Sequence, residues 1–345
     1  MNRLKQFARW LRAWTRFTFG WCVYAVTGRT PANAHLAMIY LFCHSGGRFN
    51  DRISSLIAKV SGKVELLGKV GILGKVSPEF ISSHLDQLKD RGYLVFPSAL
   101  STEVCDRLMA FALATPAQVR RMDDEPETAG KRMARYEPGN PLAVRYDYSP
   151  ATLLDNQDVQ ALLADPSLIA IAQAYLGCLP KADVLSMWWH TNFHSHPDSE
   201  AAQFYHFDMD RLKWLKVFIY LTDVGPGDGA HSFIEGSHRT GAIPANMLNK
   251  GYVRLSDNEV LSHYTDAKQV NFCAPRGTVI VEDTRGLHKG STVEPEGTSR
   301  LILQLQLSNS LFGATYPAAR IGQVRSPALA ELLESSPSIY DCYRE

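Results

Sequence analysis

Polar and apolar residues alternate with a period of two over several short runs in the second half of the chain. The clearest is residues 299–308. Leu301, Leu303, Leu305 and Leu307 share one face, and Arg300, Ile302, Gln304 and Gln306 share the other. That period predicts a strand with a packed face and a polar one. Residues 215–223 place Lys216, Phe218 and Tyr220 opposite Val217, Ile219 and Leu221, and end in a glycine-rich turn at 225–229. Residues 277–283 form a β-branched run bounded by glycine. Residues 183–193 put Ser186, Trp188, His190 and Asn192 on one side of a further strand. The region 77–92 obeys different rules. Ser77 is a good N-cap, Pro78 suits the first helical turn and Gly92 suits the exit, so a helix is predicted there. The whole predicts a mainly β domain with helical support.

Chemistry enters with His206-Phe207-Asp208. On an extended segment, residues i and i+2 point the same way, so one imidazole and one carboxylate converge while Phe207 packs behind them. The H-x-D pattern occurs three times. His84 and Asp86 lie in the predicted helix, where a two-residue step turns side chains apart by roughly 200°. His196 and Asp198 lie in a polar loop beside His194, and both histidines there read as solvated. Only His206 and Asp208 lead into a strong strand. His288 comes after the 277–283 run, beyond a turn at Arg285-Gly286. Two neutral imidazoles and one carboxylate leave half of an octahedron open, the pattern of non-haem Fe(II) oxygenases. Arg300 opens the next strand, and a guanidinium grips a carboxylate bidentately. It is therefore the expected anchor for the far carboxylate of 2-oxoglutarate, with Ser291 as either a second donor or a plain turn serine. Lys216 either keeps its ammonium in water at a sheet edge or faces the cavity with Tyr220 to help hold an anionic cosubstrate. Trp188, His190 and Asn192 are candidate substrate contacts, or simply one face of a half-buried strand. Asp210 is a longer-reaching alternative to Asp208, and His238 reads as a turn residue bonded to backbone.

His206-x-Asp208, His288 and Arg300, with Tyr220-Leu221-Thr222-Asp223 and Glu235-Gly236-Ser237-His238 between them, resemble the phytanoyl-CoA dioxygenase (PhyH-like) family. The resemblance runs from about Ser77 to Tyr316 and includes Gly92-Tyr93-Leu94-Val95-Phe96-Pro97. It implies a double-stranded β-helix (jelly-roll, cupin-like) core and the use of Fe(II), 2-oxoglutarate and O2 to hydroxylate a small molecule. It also implies His206, Asp208 and His288 as iron ligands and Arg300 as cosubstrate anchor. Met209, Asp210 and Arg211 stand where an aromatic residue often comes after the first metal motif, so the substrate class is left open. A catalytically inactive jelly-roll protein held at a membrane by its N-terminus is the competing reading.

At 345 residues and 45% apolar content the chain has ample core for one large domain with extensions. The expected division is a basic amphipathic helical extension (1–75), the oxygenase domain (76–320) and a C-terminal tail (321–345). A net charge of +1 argues against a nucleic-acid scaffold. Six scattered cysteines without C-x-x-C spacing fit a reduced cytoplasmic interior. No obligate protein partner is evident. Residues 1–50 hold seven basic residues and no acidic one. Leu4, Phe7, Leu11 and Trp14 recur at helical spacing, flanked by Lys5, Arg9, Arg12 and Arg16. Two readings of residues 1–30 stand: a helix lying on an anionic membrane, or one packing its aromatic face on the domain. A signal peptide ending near Ala32-Asn33-Ala34 is disfavoured by Arg29. The apolar runs 17–26 and 36–43 are too short to span a bilayer. The arginine- and tyrosine-rich stretch 131–148, broken by Pro138, Gly139 and Pro141, reads as a surface loop or a substrate lid.

Overall fold

A computed structural model describes residues 3–120, 132–193, 197, 202–265 and 268–344. His194, His196 and Lys131 lie outside the described residues. Three helices come first: α1 (Arg3–Thr27), α2 (Ala32–Ser45) and α3 (Arg48–Val60). A small hairpin, β1 (Val70–Gly71) and β2 (Gly74–Lys75), leads into α4 (Pro78–Arg91). The Ser77 hydroxyl accepts from the Phe80 amide at 3.1 Å and Gly92 closes α4 at φ 94°, so both predicted punctuation marks act as caps.

The main sheet has eight antiparallel strands. In spatial order these are β3 (Tyr93–Phe96), β11 (Val279–Glu282), β8 (Trp214–Tyr220), β13 (Arg300–Ser308), β7 (Lys181–His190), β6 (Arg145–Tyr148), β4 (Ala117–Arg120) and β5 (Met133–Ala134). A second sheet of β10 (Gln269–Asn271), β9 (His231–Ile234) and β12 (His288–Gly290) faces it. This is the jelly-roll arrangement. The faces of the large sheet divide as the alternation predicts. Leu301, Leu303, Leu305 and Leu307 of β13 join Val217 and Ile219 of β8 in the main apolar core. That core is closed from outside by α5 (Thr102–Ala114), α6 (Pro150–Leu154), α7 (Gln157–Leu163) and α8 (Pro166–Leu176). The opposite face carries Trp188, Phe218, Tyr220 and Ile302 toward Phe233 of the small sheet. Residues 157–176 are long and apolar enough to cross a bilayer, but 78% of that stretch is buried inside the protein and Pro166 divides it into α7 and α8.

Residues 132–148 are part surface loop and part strand, with 135–144 irregular and mostly exposed. They supply β5 and β6, and Tyr136, Tyr146 and Tyr148 are buried, Tyr136 stacking on Trp189 at 4.1 Å. Pro138, Gly139 and Pro141 fall in the irregular connection between these two strands. The apolar stripe of α1 is divided between solvent and the domain, with Trp14 packed on Phe49 at 5.1 Å. Leu4, Phe7 and Leu11 are 75%, 61% and 51% exposed, whereas Ala13 and Phe17 are buried. Phe17 packs on Phe49 at 4.7 Å and on Phe312 at 5.1 Å, so the distal half of α1 is fastened to the domain. Further bonds tie down the N-terminal layer. His35 bonds the Met209 carbonyl at 2.9 Å, Asn50 donates to the Leu212 carbonyl at 3.1 Å, and Asp51 pairs with Arg285 at 2.8 Å. Two short helices, α9 (Ala245–Leu248) and α10 (Asp257–Leu261), precede β10. At the other end, α11 (Pro327–Ser335) leads to a 3-10 turn (Pro337–Tyr343) whose Ile339, Tyr340 and Tyr343 are buried, with Asp341 on Lys181 of β7.

Candidate metal centre and cosubstrate cavity

The segment 206–208 runs beside β12. His206 and His288 exchange both backbone hydrogen bonds at 2.9 Å, and the Asp208 amide donates to the Thr284 carbonyl at 2.8 Å. This pairing brings the side chains of positions 206 and 288 onto one point. The two rings lie 4.2 Å apart. His206 Nε2 is 3.7 Å from one Asp208 oxygen and His288 Nε2 is 3.4 Å from the other. One ligand atom from each of the three residues falls within 4.8 Å of the others, and all three residues are buried.

The tautomers suit a metal. His206 Nδ1 bonds the Phe204 carbonyl at 2.9 Å and His288 Nδ1 bonds the Gly286 carbonyl at 3.0 Å. Each Nδ1 therefore carries the proton and each Nε2 turns its lone pair toward Asp208, as a ligating imidazole requires. Burial pushes the His206 pKa well down. Burial acts the same way on His288, but the Asp208 carboxylate outweighs it and raises that pKa. Burial would lift the Asp208 pKa, yet Lys216 holds it well below the usual carboxylate range. The donor set fits a divalent cation of the iron type: two neutral nitrogens and one carboxylate, in a buried pocket of one chain.

Lys216 does not sit at an edge with its ammonium in water. It lies on β8 in the middle of the sheet, donating to Asp208 at 2.6 Å and lying 3.4 Å from Asp210. Asp210 thus serves the lysine and is no part of the three-ligand cluster. Arg300 is buried. It donates to the Gly229 carbonyl and, at 2.8 Å, to His190 Nδ1, and its Nε has no partner. No carboxylate among the described residues pairs with it. A buried guanidinium without a counter-ion is costly, and burial depresses its pKa.

These groups line a cavity of about 200 Å³ that also takes in Trp188, His190, Phe218 and Gln304. Tyr220 lies behind, its hydroxyl accepting from the His231 amide at 3.2 Å and its ring 6.0 Å from the Arg300 guanidinium. Two candidates fall away from the wall. Asn192 is past the end of β7 and donates to the Pro295 carbonyl at 2.9 Å. Ser291 faces Ser232 at 3.2 Å, while Gly290 takes the cavity position beside it. His238 bonds the Lys89 carbonyl at 3.1 Å, as a turn residue does.

Arg145, from the stretch read as a loop or a substrate lid, lines the same wall, and sequence reading missed Tyr252 and Arg254 there together with the buried pair His231–Glu282. Glu282 lies on β11 directly across from Lys216, with its carboxyl 3.0 Å from His231 Nε2. Burial raises the Glu282 pKa to about 8 and pushes that of His231 well down, so the two share one proton as a neutral pair. A carboxylate inside the β-branched run 277–283 was the available signal. Behind the His288 turn, Asp283 chelates Arg285 at 2.7 Å, and Tyr175 donates to Asp283 at 2.5 Å. Arg285 carries this network to Asp51, which in turn receives the Thr240 hydroxyl.

The phytanoyl-CoA dioxygenase (PhyH) profile matches residues 88–300, over half of the chain, from the last turn of α4 to Arg300. The chain belongs to the phytanoyl-CoA dioxygenase family. It is thus a non-haem iron, 2-oxoglutarate-dependent dioxygenase acting on a small molecule. Similar solved structures include HygX from Streptomyces hygroscopicus with nickel and 2-oxoglutarate bound. It shows 15% identity and a TM-score of 0.46 over 72% of this chain and 94% of that one. EctD from S. alaskensis with bound Fe has 19% identity and a TM-score of 0.44, over 78% and 95%. The epimerase SnoN, with Fe3+ and alpha-ketoglutarate, has 15% identity and a TM-score of 0.45, over 67% and 85%. No curated protein matches the chain.

Proposed function

We propose that His206, Asp208 and His288 hold Fe(II), and that Arg300 binds the distal carboxylate of 2-oxoglutarate, in a cytoplasmic hydroxylase of an unidentified small molecule. The reading rests on one observation above all. Two Nε2 atoms and a carboxylate meet in a cavity that also contains a buried guanidinium without a carboxylate partner. Bound Fe(II) would let O2 act as the oxidant: 2-oxoglutarate would give up two electrons and take one oxygen atom, leaving as succinate and CO2, and the other oxygen atom would enter a substrate C–H bond.

The chain's own residues position and shield. The carbonyls of Phe204 and Gly286 hold both imidazoles in the ligating tautomer. His190 fixes the Arg300 fork from the side, and Gly229 holds its other arm. Lys216 keeps Asp208 ionised and offers an ammonium toward an anionic cosubstrate. Trp188 and His190 face the bound small molecule, and the aromatic walls exclude water. Residues 1–30 add a peripheral contact with an anionic membrane. Exposed Leu4, Phe7 and Leu11 beside Lys5, Arg12 and Arg16 support it. We place residues 1–75 as the helical extension and 76–320 as the oxygenase unit, with 321–345 as the tail.

Adding Fe(II) and 2-oxoglutarate to the protein without oxygen will give a weak visible charge-transfer band. No band in the native protein, or the same band in His288→Ala, would refute the metal assignment.

A further inference from the structure

Four cationic side chains, Arg145, Lys216, Arg254 and Arg300, line the cavity against one carboxylate, Asp208. Three of the four have an answering charge. Arg145 pairs with Asp147 at 2.8 Å, Lys216 with Asp210 at 3.4 Å, and Arg300 with the proposed cosubstrate. An iron ion with Asp208 and a keto-acid carboxylate is itself neutral. Arg254 has no carboxylate partner among the described residues.

Its position is set by backbone. Leu255 donates to the Tyr205 carbonyl at 2.8 Å, one residue before His206, and its side chain is buried. On such an extended segment Tyr252 and Arg254 fall on the side opposite Leu255, and both line the cavity. Both are exposed, so they stand at its mouth. Across from them, the Arg145 guanidinium lies 4.5 Å over the Trp188 ring. About 200 Å³ is less than the ~300–1,000 Å³ usual for a pocket that encloses a drug-sized ligand. With 2-oxoglutarate inside, only the reacting end of a substrate has room, and the other end lies at the mouth.

We infer that the substrate is a small acid, a carboxylate or a phosphate, whose anionic group is held at the cavity mouth by Arg254 while its reacting carbon enters between Trp188 and Phe218. Arg254 is then a specificity-determining residue. The inference rests on the proposed metal and cosubstrate assignments, and the test separates the two.

The full chain, loaded with Zn(II) to prevent turnover and saturated with 2-oxoglutarate to occupy Arg300, is titrated with inorganic phosphate and with labelled acetate. Line widths in the 31P and 13C spectra report binding, and equilibrium dialysis reports Zn(II) and 2-oxoglutarate in the same samples. Saturable broadening by one anion is expected, and which one it is assigns the acid as phosphate or carboxylate. Arg254→Gln will weaken that binding about tenfold or more. Arg254→Lys will retain most of it, and the surface variant Arg239→Gln will change nothing. If Zn(II) and 2-oxoglutarate bind but neither anion does, or if Arg254→Gln binds both as well as the native chain, the inference falls and the metal reading stands. If Zn(II) itself fails to bind, both fall.

Discussion

The cavity between the two sheets and the helical layer formed by the first 60 residues are stabilised in opposite ways. Around and behind the cavity, buried polar groups are answered one by one: Lys216 by Asp208, Arg285 by Asp283, and His231 by Glu282 as a neutral pair. In the helical layer, aromatic rings supply the contact, and Phe17 alone touches Trp14, Trp21, Phe49 and Phe312. A buried charge specifies geometry because only one placement satisfies it, whereas an aromatic face specifies contact and tolerates some slippage. The region that does chemistry is built from the former. The region that fastens one end of the chain is built from the latter.

The contrast can be broken by substitution. Asp208→Ala removes a ligand and leaves Lys216 buried without its partner, and iron-dependent succinate release will fall below detection. Phe17→Ala will destabilise the protein by about 3–5 kcal/mol in urea unfolding, because four ring contacts vanish from a closed site. Phe7→Ala, on the exposed half of the same helix, will stay within about 0.5 kcal/mol. If the two cost the same, α1 has no such division into a fastened half and a free one. Arg300→Ala will weaken 2-oxoglutarate binding by about 10- to 100-fold, the loss of charge-assisted bonds, measured by titration of the anaerobic Fe(II) band.

A pH scan sharpens the electrostatic half. Glu282 ionises at 4.5 in the unfolded chain and at about 8 when buried, so the folded state binds the extra proton between those values. The Glu282 contribution to stability of the metal-free protein will therefore fall as pH rises from about 4.5 to about 8, against an opposite contribution below about 6.5 from the depressed His206 and His231. Glu282→Gln will flatten that slope. Smallest is the surface effect: Arg12→Ala will reduce binding to phosphatidylserine vesicles by about 1 kcal/mol, roughly fivefold, with unfolding unchanged.

Where a pattern is local, the sequence was readable. The β13 alternation separated the leucine face from the Arg300 face because a strand in a sandwich has only two environments. The caps of α4 told His84 from a ligand. His206 and Asp208 were separable from the other two H-x-D copies by the strong strand immediately downstream, which became β8. The misses come from contacts made across long separations. Arg254 reaches the cavity from a loop with nothing in its neighbourhood to mark the destination, whereas the arginine- and tyrosine-rich stretch around Arg145 did suggest a substrate contact. Asn192 failed because the strand ends at His190, and Ser291 because the small sheet turns Gly290 inward. On α1 the apolar stripe was real, but which rings would be covered depended on Phe312, almost 300 positions away.

The Asp51–Arg285–Asp283 chain has a practical outcome. A shortened protein beginning after α3 would strip the outer anchor from the loop whose Gly286 carbonyl steers His288. Trimming what looks like a dispensable leader thus loosens the grip on the ion more than 230 residues downstream, and a clone designed for convenience would be judged inactive for a reason that lies outside its active site.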